Sequence, residues 1–192
     1  MIRKNDLYDE KKAAQLVALL IYLNNKPINM LKLVKLVYNI DREAFKRWYR
    51  PITFDGFCSM KNGQVVSKIY DNVKYENNRT KNYWNTVFET VKVNPNRYEV
   101  HLREPYSKDF IDQLSNAEIK LAIEIFTRYK DKSIGFMIKE HHNPKLFPEY
   151  IKTSSSIPTD YDYLLEKIGV PKKYREKVSE DLEGLKYLVT IS

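Results

Sequence analysis

Glycine is scarce in this 192-residue chain, five in all, and none stands in a GxxxxGK[ST] or GxGxxG arrangement. The backbone cradles that such loops form around nucleotide phosphates are therefore not encoded, which argues against nucleotide-dependent catalysis. Cysteine occurs once, as Cys58, so no internal disulfide is available. Zinc needs convergent His, Cys or carboxylate ligands, yet the adjacent His141 and His142 would point about 100° apart on a helix. No metal and no cofactor are expected. Cys58 could be combined with His101, His141 or His142 as nucleophile and base, but no local pattern signals such a pair, and a small buried cysteine on a strand is the simpler reading. The chain reads as a non-enzyme.

Long apolar runs are missing too. The most apolar stretch, residues 13–23, is interrupted only by Gln15 and is shorter than the roughly 20 residues that a membrane span needs. It reads as a buried core helix. The opening MIRKNDLYDEKK carries charges with no apolar h-region behind them, which together with the solitary cysteine points to the cytoplasm and away from membranes.

What is present is ordinary for a folded protein: 43% apolar, 30% charged and 13% aromatic residues, enough to bury one core without staples. The net charge of +8 favours acidic partners or nucleic acid and says nothing about fold. Helical patterns are expected over residues 9–25 and 30–49, separated by Lys26-Pro27-Ile28-Asn29, where Pro27 forbids continuation and Asn29 can cap the second helix. Residues 54–63 read as a short extended segment closed by the Asn62-Gly63 turn, and residues 64–72 as a short helix. Residues 86–93 and 97–103 alternate apolar and polar around Asn94-Pro95-Asn96, which predicts a hairpin. Ser115 and Glu118 form a capping box for a third long helix reaching Lys130, and residues 133–142 form another short one. Residues 152–158 are linker-like, and helical patterns follow over 159–168 and 171–188. The expected architecture is α+β: a mainly helical single domain with a small antiparallel hairpin or sheet over residues 1–150, then a linker and a C-terminal helical tail, 151–192, packed on it.

One stretch departs from simple amphipathic patterning. In KLVKLVYNIDREAF, residues 32–45, a period of about 100° per residue gathers Lys32, Lys35, Asn39, Arg42 and Lys46 on one side and Met30, Val34, Val37, Phe45 and Trp48 on the other. Asp41 falls within the apolar group, where a carboxylate is costly unless paired or hydrogen-bonded. It is either a buried anchor held by a tyrosine hydroxyl or by a cation such as Lys61 or Arg50, or a partner-facing carboxylate at the mouth of a groove. The basic side reads as a solvated face; the alternative is a phosphate-backbone reader, with Tyr70, Tyr75 and Tyr83 stacking on bases.

The same segment opens three motifs that resemble the Panacea domain, also described as the SocA-like antitoxin domain. Its K-L-x-K-L-x-Y-x-x-D is filled by Lys32, Leu33, Lys35, Leu36, Tyr38 and Asp41; its R-P-I-x-x-D by Arg50, Pro51, Ile52 and Asp55; its K-x-G-P-V-x-S-x-x-Y by Lys61, Gly63, Val65, Ser67 and Tyr70, with Gln64 in place of the proline. Residues 114–144 are similar to the family's closing helices and their histidine, with Leu146 or Phe147 for the aromatic that follows it. The resemblance spans residues 9–147. It implies neutralisation of a protein toxin by direct contact, or in some members delivery of a toxin to a protease as an adaptor, without catalysis or cofactor. Because the similarity starts so near the first residue, no helix-turn-helix is expected before it, and nucleic-acid binding is expected to be weak or none; a nucleic-acid-binding regulator is the alternative reading. The candidate partner-binding or surface-shaping residues are Lys35, Tyr38, Asp41, Arg42, Lys61 and Tyr70. Asp41 is expected to shape the surface, with Lys61, Tyr70 or Arg50 within hydrogen-bonding distance.

Overall fold

The computed structural model describes residues 7–74, 83–103 and 110–191. Asp9 accepts the backbone N–H of Lys12 at 3.0 Å and opens α1 (Glu10–Asn24), whose Ala13, Leu16, Val17 and Leu20 are fully buried. The helix stops at Asn25, which takes the left-handed conformation (φ 53°) that this residue type tolerates. After the two-residue β1 (Ile28–Asn29), the Asn29 side chain accepts from the N–H groups of Leu31 and Lys32 and starts α2 (Met30–Trp48), the cap its position in the sequence leads one to expect.

α2 is the axis of the molecule. α1, α5 and α6 pack around it, together with α3 and the strands β1, β3 and β5, so its buried residues run almost without interruption from Leu33 to Arg42. It ends at Tyr49, also left-handed (φ 57°), whose N–H returns to the Phe45 carbonyl. β2 (Phe57–Met60) and β3 (Gly63–Val66) form an antiparallel hairpin in register from Phe57↔Val66 to Met60↔Gly63. α3 (Ser67–Lys74) follows directly. The expected helix over 64–72 is thus corrected: the Asn62-Gly63 turn folds Gln64, Val65 and Val66 back as a strand, and the helix begins only at Ser67.

α4 (Tyr83–Val87) leads into β4 (Phe88–Asn94) and β5 (Arg97–Leu102), the expected hairpin, with a register shift between Lys92 and Asn94; β1 pairs with the far side of β5. α5 (Asn116–Tyr129) carries both halves of the Ser115/Glu118 capping box, and α6 (Ile134–His141) is capped by Ser133. The linker-like segment contains a strand that alternation did not reveal, β6 (Ile157–Thr159), pairing with the free side of β2. α7 (Tyr161–Lys167) and α8 (Lys172–Ile191) complete the chain. Among the described residues this is a mostly helical α+β domain with two three-stranded antiparallel sheets. Tyr161 packs edge-on against Phe45 at 5.0 Å between ring centroids, an aromatic pair worth about 1 kcal/mol beyond its buried area.

Candidate functional site

Asp41 is fully buried, and main chain holds it. Its Oδ1 accepts the N–H groups of Ile52 (2.8 Å) and Thr53 (3.1 Å), and the Thr53 hydroxyl donates to Oδ2. Thr53 Oγ1 in turn accepts the N–H of Asp55 at 3.1 Å. Asp55, also fully buried, accepts the N–H groups of Lys68 (2.7 Å) and Ile69 (3.0 Å) in the first turn of α3, where a negative charge is favoured by the helix dipole. The loop between α2 and β2 is thereby clamped at both ends, with Phe54 between the clamps at φ 52°, a conformation that costs a non-glycine residue about 1–2 kcal/mol. Burial pushes Asp41 up to about 6 and Asp55 up to about 7, against the downward pull of these hydrogen bonds. Lys61, Tyr70 and Arg50 are not among the groups bonded to Asp41, and the expected cation or tyrosine is corrected: a carboxylate that collects three donors from the adjoining loop needs neither.

The basic side of α2 is solvated only towards its ends, where Lys46 is exposed and Lys32 half-buried. Lys35 (0% exposed), Asn39 (5%) and Arg42 (9%) are covered, chiefly by α6 and the segment after it, and neither a solvated nor a phosphate-reading role fits them. Arg42 donates from Nε to Glu149 Oε1 at 2.6 Å and from Nη2 to Oε2 at 3.2 Å, and Tyr38 donates its hydroxyl to Glu149 Oε1 at 2.7 Å. Burial alone would lower Arg42, but the bonded Glu149 carboxylate outweighs it and raises the guanidinium. Burial, with the Glu149 charge beside it, raises the Tyr38 phenol well above its usual range. Glu149 also ties in the hairpin, since its carbonyl accepts the Gln64 side-chain amide at 3.0 Å. Lys35 has no carboxylate partner: its ammonium reaches the Gln64 carbonyl at 3.4 Å and His141 Nδ1 at 3.3 Å, and burial lowers it to about 7. Gly63 (φ 99°) closes this pocket; a Cβ there would lie 2.6 Å from the His141 Cβ and 2.8 Å from Lys35 Nζ. His141 stacks on Phe147 at 4.2 Å, so Phe147 is the aromatic that serves the closing histidine.

Of the six candidate residues, Lys35, Tyr38, Asp41 and Arg42 are therefore interior, and Lys61 and Tyr70 are not. Those two meet in a groove of about 500 Å³ walled by the β2–β3 turn, α3, the β4–β5 turn and residues 154–156, over a floor that includes Met30, Met60 and Val65. Lys74 lies beside Tyr70, its ammonium 3.3 Å from the phenol oxygen and 5.3 Å from the ring centre. Of the tyrosines considered for base stacking, Tyr83 is stacked on Phe110 and Tyr75 lies outside the described residues. Cys58 is buried on β2 as expected, and no cluster of three or more His, Cys, Asp or Glu suited to a metal ion occurs among the described residues.

The profile of the family described as "Antitoxin SocA-like, Panacea domain" matches residues 33–146, more than half of the chain. The chain belongs to this family. No curated protein and no solved structure matches it. No described helix is long and apolar enough to cross a membrane. Each Panacea motif of this chain now has a physical location. The first supplies Lys35, Tyr38 and Asp41 to the interior, the second the loop that Asp41 and Asp55 clamp, and the third the β2–β3 turn and the start of α3. At the position of the family's proline, Gln64 uses its amide to bind the Glu149 carbonyl. Sequence reasoning missed Glu149, Thr53 and Asp55 as members of these networks. Asp55 stood in a quoted motif and could have been suspected; nothing in the local pattern singles out Glu149.

Proposed function

We propose that this chain is the antitoxin of a toxin–antitoxin pair and neutralises its toxin by direct protein–protein binding. The observation that carries the reading is membership of the Panacea family over residues 33–146. The geometry agrees with a binding role: Asp55 holds the start of α3 and Glu149 holds Gln64 beside the β2–β3 turn, two walls of the groove, and a preformed surface loses little freedom when a partner docks. Of the helix face that the nucleic-acid alternative would use, Lys35, Asn39 and Arg42 are buried, which favours the protein-partner reading. Cytoplasmic action on a protein toxin, with weak salt-sensitive nucleic-acid binding at most, completes the proposal.

Co-expression with the protein encoded by the adjacent reading frame tests it. Growth should be restored where that protein is toxic, and the purified pair should co-elute. Unrestored growth beside a toxic neighbour rejects the reading. Restored growth with a falling toxin level, reversed in a protease-deficient host, would identify a proteolytic adaptor instead.

A further inference from the structure

We infer that α8 carries a self-association surface: the strip bearing Tyr174, Lys177, Asp181, Leu185 and Leu188 receives the same strip of a second copy of this chain, the two helices running antiparallel about a two-fold axis near Ser179. The inference goes beyond the antitoxin reading and does not depend on it.

α8 is long for the support it has. Its 20 residues rise about 30 Å, yet Val178 is the one residue of α8 that is buried among those described, and Leu182 is partly buried. The helix is fastened near its start, by Arg175 on the Asp162 carboxylate (2.7 and 2.8 Å) and by Tyr174 stacked on Tyr49 with 5.6 Å between ring centroids. A helix draws most of its stability from packing one apolar face. The face exists: Tyr174, Leu185 and Leu188 fall within about 60° of one another at about 100° per residue, and all three are exposed, Leu188 at 58%. With Tyr49 they make four of the eleven large hydrophobic side chains exposed among the described residues, a concentration that marks an interaction surface.

The strip borders a groove of about 430 Å³ between the end of α2 and α8, lined among the described residues by Trp48, Tyr49, Tyr174, Val178, Leu182 and Leu185, with Arg50, Lys177 and Asp181 as charged members. Each copy therefore offers an apolar recess and, farther along the same helix face, a spare leucine, Leu188, so one isologous contact covers both recesses at once. The order of charges selects the direction. Lys177 and Asp181 stand one turn apart on the strip. A parallel pairing sets each against its own kind, whereas an antiparallel pairing about Ser179 sets Lys177 against Asp181 of the partner subunit, twice over. Arg50 is exposed and can stay in water.

The same register accounts for a residue that a single copy leaves unexplained. Gly184 sits inside α8, where glycine is a poor helix former, and a Cβ there would meet nothing within 4 Å. With Ser179 as the midpoint, Tyr174 lies opposite Gly184 of the partner subunit, and the missing side chain leaves room for the phenol ring to reach Leu185 of the partner subunit.

Sedimentation of the full chain over about 1 to 100 μM tests the inference. Wild type should pass to a species of twice the 22.9 kDa of one chain. Leu185→Glu and Lys177→Asp should each weaken this association about tenfold or more, since every change enters a two-fold interface twice. Lys177→Asp/Asp181→Lys should restore it, because the reversed charges again meet their opposites. All three positions are exposed, so the fold should survive each change, and circular dichroism at the wild-type level checks that it does. A chain that stays at 22.9 kDa throughout, a dimer indifferent to Leu185→Glu, or a double reversal no better than Lys177→Asp would each overturn the proposal. A monomer that loses co-elution with its toxin on Leu185→Glu also overturns it and gives the strip to the toxin. The sedimentation needs no toxin, so failed rescue beside an intact dimer removes the antitoxin reading alone.

Discussion

Two buried regions of this protein place charge in the interior in opposite ways. Beneath the loop after α2, Asp41 and Asp55 are buried carboxyls with no basic side chain bonded to them, each surrounded by backbone N–H groups and a hydroxyl. Across α2, Lys35 is a cation without an anion, in reach of one carbonyl and one ring nitrogen at 3.3–3.4 Å. The aspartates organise a loop that could not otherwise hold Phe54 at positive φ, so their cost of burial is offset by donors that would themselves be orphaned without them. Lys35 organises less and is poorly solvated, which is why its proton is loosely held. Both regions therefore titrate near neutrality, with opposite sign: burial holds the proton on the carboxyls and loosens it on the amine.

The largest expected effect breaks the first region. Asp41→Ala strands the N–H groups of Ile52 and Thr53 and the Thr53 hydroxyl, and at about 1–3 kcal/mol for each unsatisfied buried donor the loss in urea unfolding is at least about 3 kcal/mol. Toxin binding should disappear with the fold. A variant of wild-type stability that no longer binds would instead make Asp41 a contact residue. Asp41→Asn, which keeps an acceptor, should lose less.

Next in size is Gly63→Ala on the Lys35 side. The added methyl meets His141 and the Lys35 ammonium and demands positive φ of a residue that resists it, so destabilisation of about 2–3 kcal/mol is expected by overpacking. Unchanged thermal stability would mean that the pocket is looser than its distances imply.

Smaller and more diagnostic is the pH dependence. Lys35 is lowered from 10.5 to about 7 by burial, so between those values the unfolded chain binds more protons and stability rises with pH. The groups facing it, His141 and Arg42, titrate outside this window: burial and the Lys35 charge keep His141 well below 6.5, and Arg42 is raised. Wild type should therefore gain stability from pH 7 to 10 relative to Lys35→Met, and parallel curves for the two would refute the assignment. The aspartates predict the reverse slope. Asp55, raised from 3.8 to about 7, binds its proton more readily in the folded chain, so its contribution is full below pH 4 and is lost as pH rises to 7. Differential melts of wild type and Asp55→Asn over that range isolate it.

The two regions also differ in how far the sequence announced them. Asp41 was marked as interior by helical periodicity alone, and the caps at Asn29 and Ser115 were legible because their side chains act on residues two or three positions away. The partners of Asp41 were not legible, since main-chain N–H groups carry no letter of their own. The burial of Lys35 and Arg42 was misread because the covering residues, His141 and Glu149, come more than 100 positions later, where no local period reaches. The strand at Gln64–Val66 was hidden by apolar residues whose spacing continues smoothly into α3.

β6 has a consequence for how copies of this chain behave toward one another. Pairing of Ile157–Thr159 with β2 covers a row of N–H and C=O groups that would otherwise be open for a strand from another molecule. The covering strand is only three residues long, and Pro158, opposite Cys58, has no N–H to offer a further neighbour. That edge of the sheet is thus covered by its own chain, and cutting the protein ahead of Ile157 would turn the covered edge of β2 into an adhesive one.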